Sequence, residues 1–370
     1  MDPRPNPIVP DVNGLRVSRL PSNGASPNYE EIPPTDPRFS AVAICVHVGL
    51  NILESPQGRA TLIDTAREIL EDRRQLLRDN QILYNDTMER LPLWIGLFLE
   101  RMRDDFPDIR LVYGLDGEAA AKKADWGNDM RRYNPKAAGY IEVNKLLVDT
   151  MVHVGQRATT FRDPNHPEHV SCVVAWETFT FQLGMCIAHE VVHLLTGFLS
   201  THRLHHTPPN VTALGYGDET TGEAGWYWET RMMGGVLNFY EDRRDPLGVH
   251  QAGVPILENN RTDVLCVISQ TWIRGILNLN FTAARFPARL SEGAPEMSDD
   301  DVARLFGGRM ADVRAASMLP RISPPPPDPN LSRNLDRLRF RTYRHRLEGR
   351  IRPSMVAPQT QSRGGVRGRA

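Results

Sequence analysis

The stretch Gly184–His206 reads GMCIAHEVVHLLTGFLSTHRLHH, and two of its histidines, His189 and His193, bracket a glutamate in the order HEVVH. Residues i and i+4 of an α-helix lie about 40° apart in azimuth and about 6 Å apart along the axis, so imidazoles at this spacing can converge on one metal ion. Neutral imidazole nitrogen suits Zn²⁺, which takes contacts of about 2.0–2.1 Å in a tetrahedral set. Glu190 follows the first histidine and stands beside the pair without joining it. Zinc lowers the pKa of a water it binds to about 7, and a carboxylate in that place can serve as general base. The competing reading is a core helix that carries two satisfied histidines. Against it stands the cost of burying Glu190 among Met185, Ile187, Ala188, Val191, Val192, Leu194 and Leu195 without a partner.

A catalytic zinc usually has three protein ligands and one open position. His202, His205 and His206 follow closely enough to reach back from a loop, with a solvated turn as their alternative. The segment GEAGWYWE offers two carboxylates, Glu223 and Glu229. Six residues of helix turn through about 600°, so both cannot face one metal from the same straight helix. Thr220 and Glu223 also have the T-x-x-E spacing of a capping box, which gives Glu223 a structural alternative. Hydrolysis further needs a donor for the developing oxyanion. Tyr216, in GYGD, and Tyr227, one turn beyond Glu223, are the candidates, with packing as the alternative for each. Asp218 and Glu219 could orient a ligand histidine or equally be solvated loop charges, while Trp226 and Trp228 read as core, with lining of a substrate cleft as the alternative.

HEVVH in this apolar setting resembles the HExxH signature of the zinc metallopeptidases called zincins, and the likeness is confined to these segments. The longer pattern HExxHxxGxxH does not fit: the glycine is Gly197, one residue late, and Leu199 stands where the last histidine belongs. Glu223, in GEAGW, is similar to the glutamate that completes the gluzincin site, although Gly222 replaces an asparagine frequent there. The resemblance implies an α+β, zincin-like domain, mainly helical with a small sheet. It implies a Zn²⁺ cofactor held by His189, His193 and Glu223, with Glu190 as base.

The elements that must position these residues are partly legible. RATLIDTAREILEDRRQLLRD places Leu62, Ala66, Ile69 and Leu70 on one helical face, and LPLWIGLFLERMRDDF predicts a second helix. Residues Ile109–Tyr113 and Gly139–Asn144 read as strands, and KLLVDTMV as a helix. HVSCVVAW, ending at Trp176, is β-branched and predicts a strand ahead of the HEVVH helix. Gly184 sits inside that helix at a cost of about 1 kcal/mol relative to Ala. EAGWYWETRMMGGVLNFYEDRR and DVLCVISQTWIRGILNLNF both read as helical.

Residues 1–38 are rich in Pro, Asn and Ser and predict a disordered arm. A domain over 39–319 follows, then a proline-rich linker over 320–330 and an arginine-rich tail over 331–370. The 370 residues carry a formal net charge of -1, which exerts no overall pull toward nucleic acid or membrane. Nucleic acid is admitted only through the tail, with a solvated or docked tail as the alternative. Four scattered cysteines without a CxxC pair fit a reducing compartment. With no secretory pattern at the N-terminus and no apolar run long enough to span a bilayer, the expected location is the cytoplasm. Three functions are compatible with these features. The first is a zinc hydrolase acting on peptide or related amide bonds. The second is a metal enzyme of small-molecule biosynthesis on the same scaffold, and the third a non-enzymatic domain whose basic tail makes the functional contact.

Overall fold

The computed structural model describes residues 10–20, 29–76, 82–200, 206–213 and 221–286, apart from positions 114, 116, 125, 128, 241, 243, 260–263, 283 and 285. The expected linker and arginine-rich tail lie outside the described residues. The fold is mixed α+β, with a five-stranded and a three-stranded sheet around a long central helix.

The larger sheet has the order β2-β1-β3-β5-β4, formed by β1 (Val17–Arg19), β2 (Glu30–Glu31), β3 (Asp108–Val112), β4 (Ala119–Lys123) and β5 (Gly139–Asn144). β1, β3 and β5 run parallel, while β4 pairs antiparallel with β5 and forms the outer edge. The expected disordered arm therefore contributes two strands: Val17 is fully buried and pairs with Ile109. Composition alone could not show this, because a three-residue strand gains its stability from the partner it meets across the sheet. The smaller sheet, β6 (Val236–Tyr240), β7 (Val254–Asn259) and β8 (Val264–Val267), is antiparallel throughout.

Helix α1 (Pro37–Glu54) opens with Pro37 in its first turn and with the Asp36 side chain accepting from the amide of Arg38. α2 (Pro56–Leu76) buries Leu62, Ala66, Ile69 and Leu70, the face that its periodicity marks out. α3 (Leu91–Asp104), the one-turn α4 (Pro135–Ala138) and α5 (Lys145–Thr159) complete the N-terminal half.

The central helix α6 spans Pro167–Leu199, so the strand expected over HVSCVVAW is instead its first turns. β-branched apolar runs fit either state, and the deciding signals lie upstream. Pro167 is pre-set for the first helical position, Glu168 suits the positive end of the dipole, and the His166 ring accepts from the Glu168 amide. α6 packs against α1, α5, α7, α8 and β4. By length and composition it could cross a membrane, but 67% of its apolar window is buried within the fold. Its contact with α1 explains Gly184. A Cβ there would come 2.8 Å from Val48 Cγ1, and one on Gly49 would come 2.7 Å from the Gly184 carbonyl oxygen. The glycines thus let the two helix backbones approach where side chains would hold them apart.

Two segments expected to be helical each contain a strand. α7 (Ala224–Met233) stops at Gly234, which adopts φ 82° and whose amide donates to the Thr230 carbonyl before β6 begins. β8 precedes α8 (Gln270–Leu277), whose first turn is capped by the Ser269 side chain accepting from the Trp272 amide.

Candidate metal and catalytic site

The site forms where α6 meets the start of α7 and the edge strand β4. One ligand atom each from His189, His193 and Glu223 lies within 4.8 Å of the others. His193 Nε2 stands 3.2 Å from Glu223 Oε2. Two donors bound to one tetrahedral ion at about 2.05 Å would lie about 3.3 Å apart, so this separation suits shared coordination as well as a direct hydrogen bond. Burial pushes the Glu223 carboxyl up; the hydrogen bond and charge of His193, with His189 and Lys123, outweigh it and hold the group below its ordinary value.

Glu223 reaches His193 because it is the N-cap of α7, with φ -134° and ψ 86° instead of helical angles, and its side chain makes no capping bond. This decides against the capping-box alternative. The amide of Ala224 instead donates to the Thr207 hydroxyl oxygen. Gly222 has a local reason too. A Cβ there would lie 2.0 Å from the Pro208 carbonyl oxygen, so the loop over 207–211 passes where an asparagine would not fit.

His189 is held from three sides. Its Nδ1 lies 3.3 Å from Glu229 Oε2, and the other Glu229 oxygen accepts the Leu237 amide of β6 at 3.1 Å. The Trp226 ring meets the imidazole edge-on at 4.7 Å. Gly225 supplies the third side, since a Cβ on it would come within 2.3 Å of His189 Nε2. A carboxylate on Nδ1 is the arrangement that fixes the ring orientation and tautomer of metal-binding histidines. Glu229 thus differs in role from Glu223: one faces His189, the other His193.

Glu190 is 8% exposed, and its Oε2 accepts the Ala121 amide of β4 at 2.6 Å. The partner that a buried carboxylate requires is therefore a strand edge. The Asn144 amide donates to Glu118 O and the Ala124 amide to Ala138 O, so even-numbered β4 residues bond inward and Ala121 points outward.

Of the two candidate tyrosines, only Tyr227 is among the described residues, and it does not join the site. Tyr227 lies two residues from Gly225, about 200° round the helix, and so faces α2 instead of His189. The Arg231 guanidinium lies over its ring. Burial pushes its phenol up to about 12; Arg231 opposes this, while Glu68 and Asp64 reinforce it. Tyr216, Asp218, Glu219, His202 and His205 lie outside the described residues. His206 is exposed and does not belong to the ligand cluster, and Trp226 and Trp228 are core as expected.

No family model, curated protein or solved structure matches this chain. The site must be read from its own geometry.

Sequence reasoning did not find the Ala121 amide, the Gly225 cradle, the orienting role of Glu229 or the charge of Lys123 near Glu223. Of these only Gly225 and Glu229 left a sequence signal, since they lie one turn apart and share a face of α7.

Proposed function

We propose that this chain is a zinc-dependent hydrolase of peptide or related amide bonds, with a zincin-like domain, in which His189, His193 and Glu223 hold the metal and Glu190 is the general base. The observation that carries this reading is the convergence of two imidazoles and a carboxylate within 4.8 Å, with Glu190 fixed beside them by a bond to β4. The donor set is chemically suited to Zn²⁺, and Gly225 lets the start of α7 pack against the His189 ring without displacing it. Bound there, zinc would supply Lewis acidity toward a carbonyl and make a water acidic enough to attack it near neutral pH. The chain's own residues do the rest. Glu190 takes the proton of the attacking water on the oxygen not engaged by Ala121 and passes it to the leaving nitrogen. Glu229 holds the His189 ring in one tautomer, and Lys123 places positive charge on the same side as Glu223. An extended peptide fits the geometry because β4, the outer strand of its sheet, runs beside Glu190.

The test uses metal analysis and turnover of a quenched-fluorescence peptide library. The wild-type chain is expected to purify with about one zinc and to cleave members of the library. His189→Ala should lose the metal. Glu190→Gln should keep it yet lose at least about 100-fold in turnover. A Glu190→Gln protein of undiminished activity would remove the base, and a metal-free wild-type protein would remove the reading.

A further inference from the structure

Glu223 is placed by a short turn that α2 holds from behind. In TPPNV the Val211 amide donates to the Pro208 carbonyl at 3.0 Å, which closes a turn with Pro209 and Asn210 at its centre. Proline at the first central position is preset for such a turn. Both ends of the turn grip the residues leading into α7: the Gly222 amide donates to the Thr207 carbonyl at 3.0 Å, and the Glu223 amide to the Val211 carbonyl at 2.9 Å. This contact has no slack, since a Cβ on Gly222 would lie 2.0 Å from the Pro208 carbonyl oxygen and 2.6 Å from that of Val211. A displacement of the turn is therefore passed on to Glu223.

The turn is in its own right tied to α2. Asn210 Nδ2 donates to Asp72 Oδ1 at 2.8 Å, and the Asn210 amide donates toward Oδ2 at 3.4 Å. Asp72 is 7% exposed, and a carboxylate is costly to bury unless such bonds satisfy it. It shares a face of α2 with the buried Thr61 and Thr65, because eleven residues turn through about 1100° and seven through about 700°. Those two hydroxyls donate to carbonyls of their own helix, at Gln57 and Thr61, whereas Asp72 accepts from the turn. Burial alone would favour an apolar residue at this position; the two donors of Asn210 account for a carboxylate.

We infer that Asp72 is a positioning residue for the metal: through Asn210 and the turn over 208–211 it sets the backbone of Glu223, and with it the reach of the third ligand to His193. The inference rests on the reading of Glu223 as a ligand of the proposed site. His189 and His193 stand on α6, outside this chain of bonds, so Asp72 acts on the site through Glu223.

Zinc affinity is measured on the full chain by competition with a chelating dye, with no substrate present. Asp72→Ala and Asn210→Ala are each expected to weaken zinc binding about 10-fold, the lower end of the loss that follows removal of a group supporting a metal ligand. The double variant should bind no more weakly than either single one, since both break the same link. In a Glu223→Ala background, Asp72→Ala should change affinity by less than about twofold, whereas a purely structural loss would lower it by the same factor in both backgrounds. The exchange Asp72→Asn with Asn210→Asp reverses donor and acceptor but keeps the link, and should restore most of the affinity. Asn210 is exposed, so its variant tests the link even where Asp72→Ala does not fold. Unchanged affinity in Asn210→Ala, or an Asp72→Ala effect of equal size without Glu223, overturns the inference while leaving the metal site standing. A wild-type protein that binds no zinc would overturn the metal site and the inference with it. Zinc binding that depends on the link, without peptide cleavage, would defeat the hydrolase reading alone.

Discussion

At the scale of single residues, the site depends as much on side chains that are missing as on those present. Gly225→Ala would drive a methyl group into the His189 ring, which has nowhere to go between Glu229 and Trp226. Zinc affinity, measured by competition with a chelating dye, is expected to fall at least about 10-fold, and the melting temperature should fall as well, since overpacking costs about 1–3 kcal/mol. Glu229→Gln keeps the volume but weakens the hold on Nδ1, and should cost about 10- to 100-fold in affinity. Tyr227→Phe is expected to leave turnover within about twofold, because that hydroxyl faces α2.

At the scale of elements, the site depends on how closely α6 lies against its neighbours. A single helix supplies His189, Glu190 and His193, so any shift along its axis moves the proposed base and ligands together. The crossing with α1 sets that position. Gly49→Ala raises helix propensity by about 1 kcal/mol, yet its methyl would meet the Gly184 carbonyl at 2.7 Å. Overpacking of this kind costs about 1–3 kcal/mol, so the variant should be less stable than wild type in urea unfolding. Increased stability would mean that the helices can separate freely. α7 brings a different constraint: its N-cap residue must be non-helical for Glu223 to reach His193, while the turn that follows must be helical for Glu229 to reach His189.

At the scale of the whole molecule, an ionic cluster joins the N-terminal segment to the core. His47 Nδ1 accepts the Asp11 amide at 3.0 Å and lies 3.3 Å from Arg103, whose guanidinium binds both oxygens of Glu54. Burial and then Arg103 push the His47 pKa below its ordinary value of 6.5; Asp11 and Glu54 only partly oppose them. The unfolded chain therefore binds this proton more readily than the folded one. The contribution of neutral His47 to stability is complete above about pH 6.5 and is lost as pH falls from there toward the depressed folded value. Melting temperatures from pH 7.5 to 5 should fall for the wild type and fall less steeply for His47→Gln. Parallel curves would show that His47 is not the group responsible.

The local geometry was readable without coordinates: HEVVH fixes two rings and a carboxylate on adjacent faces of one helix because helical azimuth follows from spacing alone. The periodicity of α2 and the strands around Ile109 and Gly139 were legible for the same reason. What sequence could not decide was whatever depends on a partner distant along the chain. Val17 becomes a strand only against β3, and the first turns of α6 are helical in spite of their β-branched run. Glu190 finds its donor on β4, and Glu223 turns away from its own helix toward His193. Such choices are made by burial and by the pairing of polar groups between elements, and those energies exist only once the elements are packed.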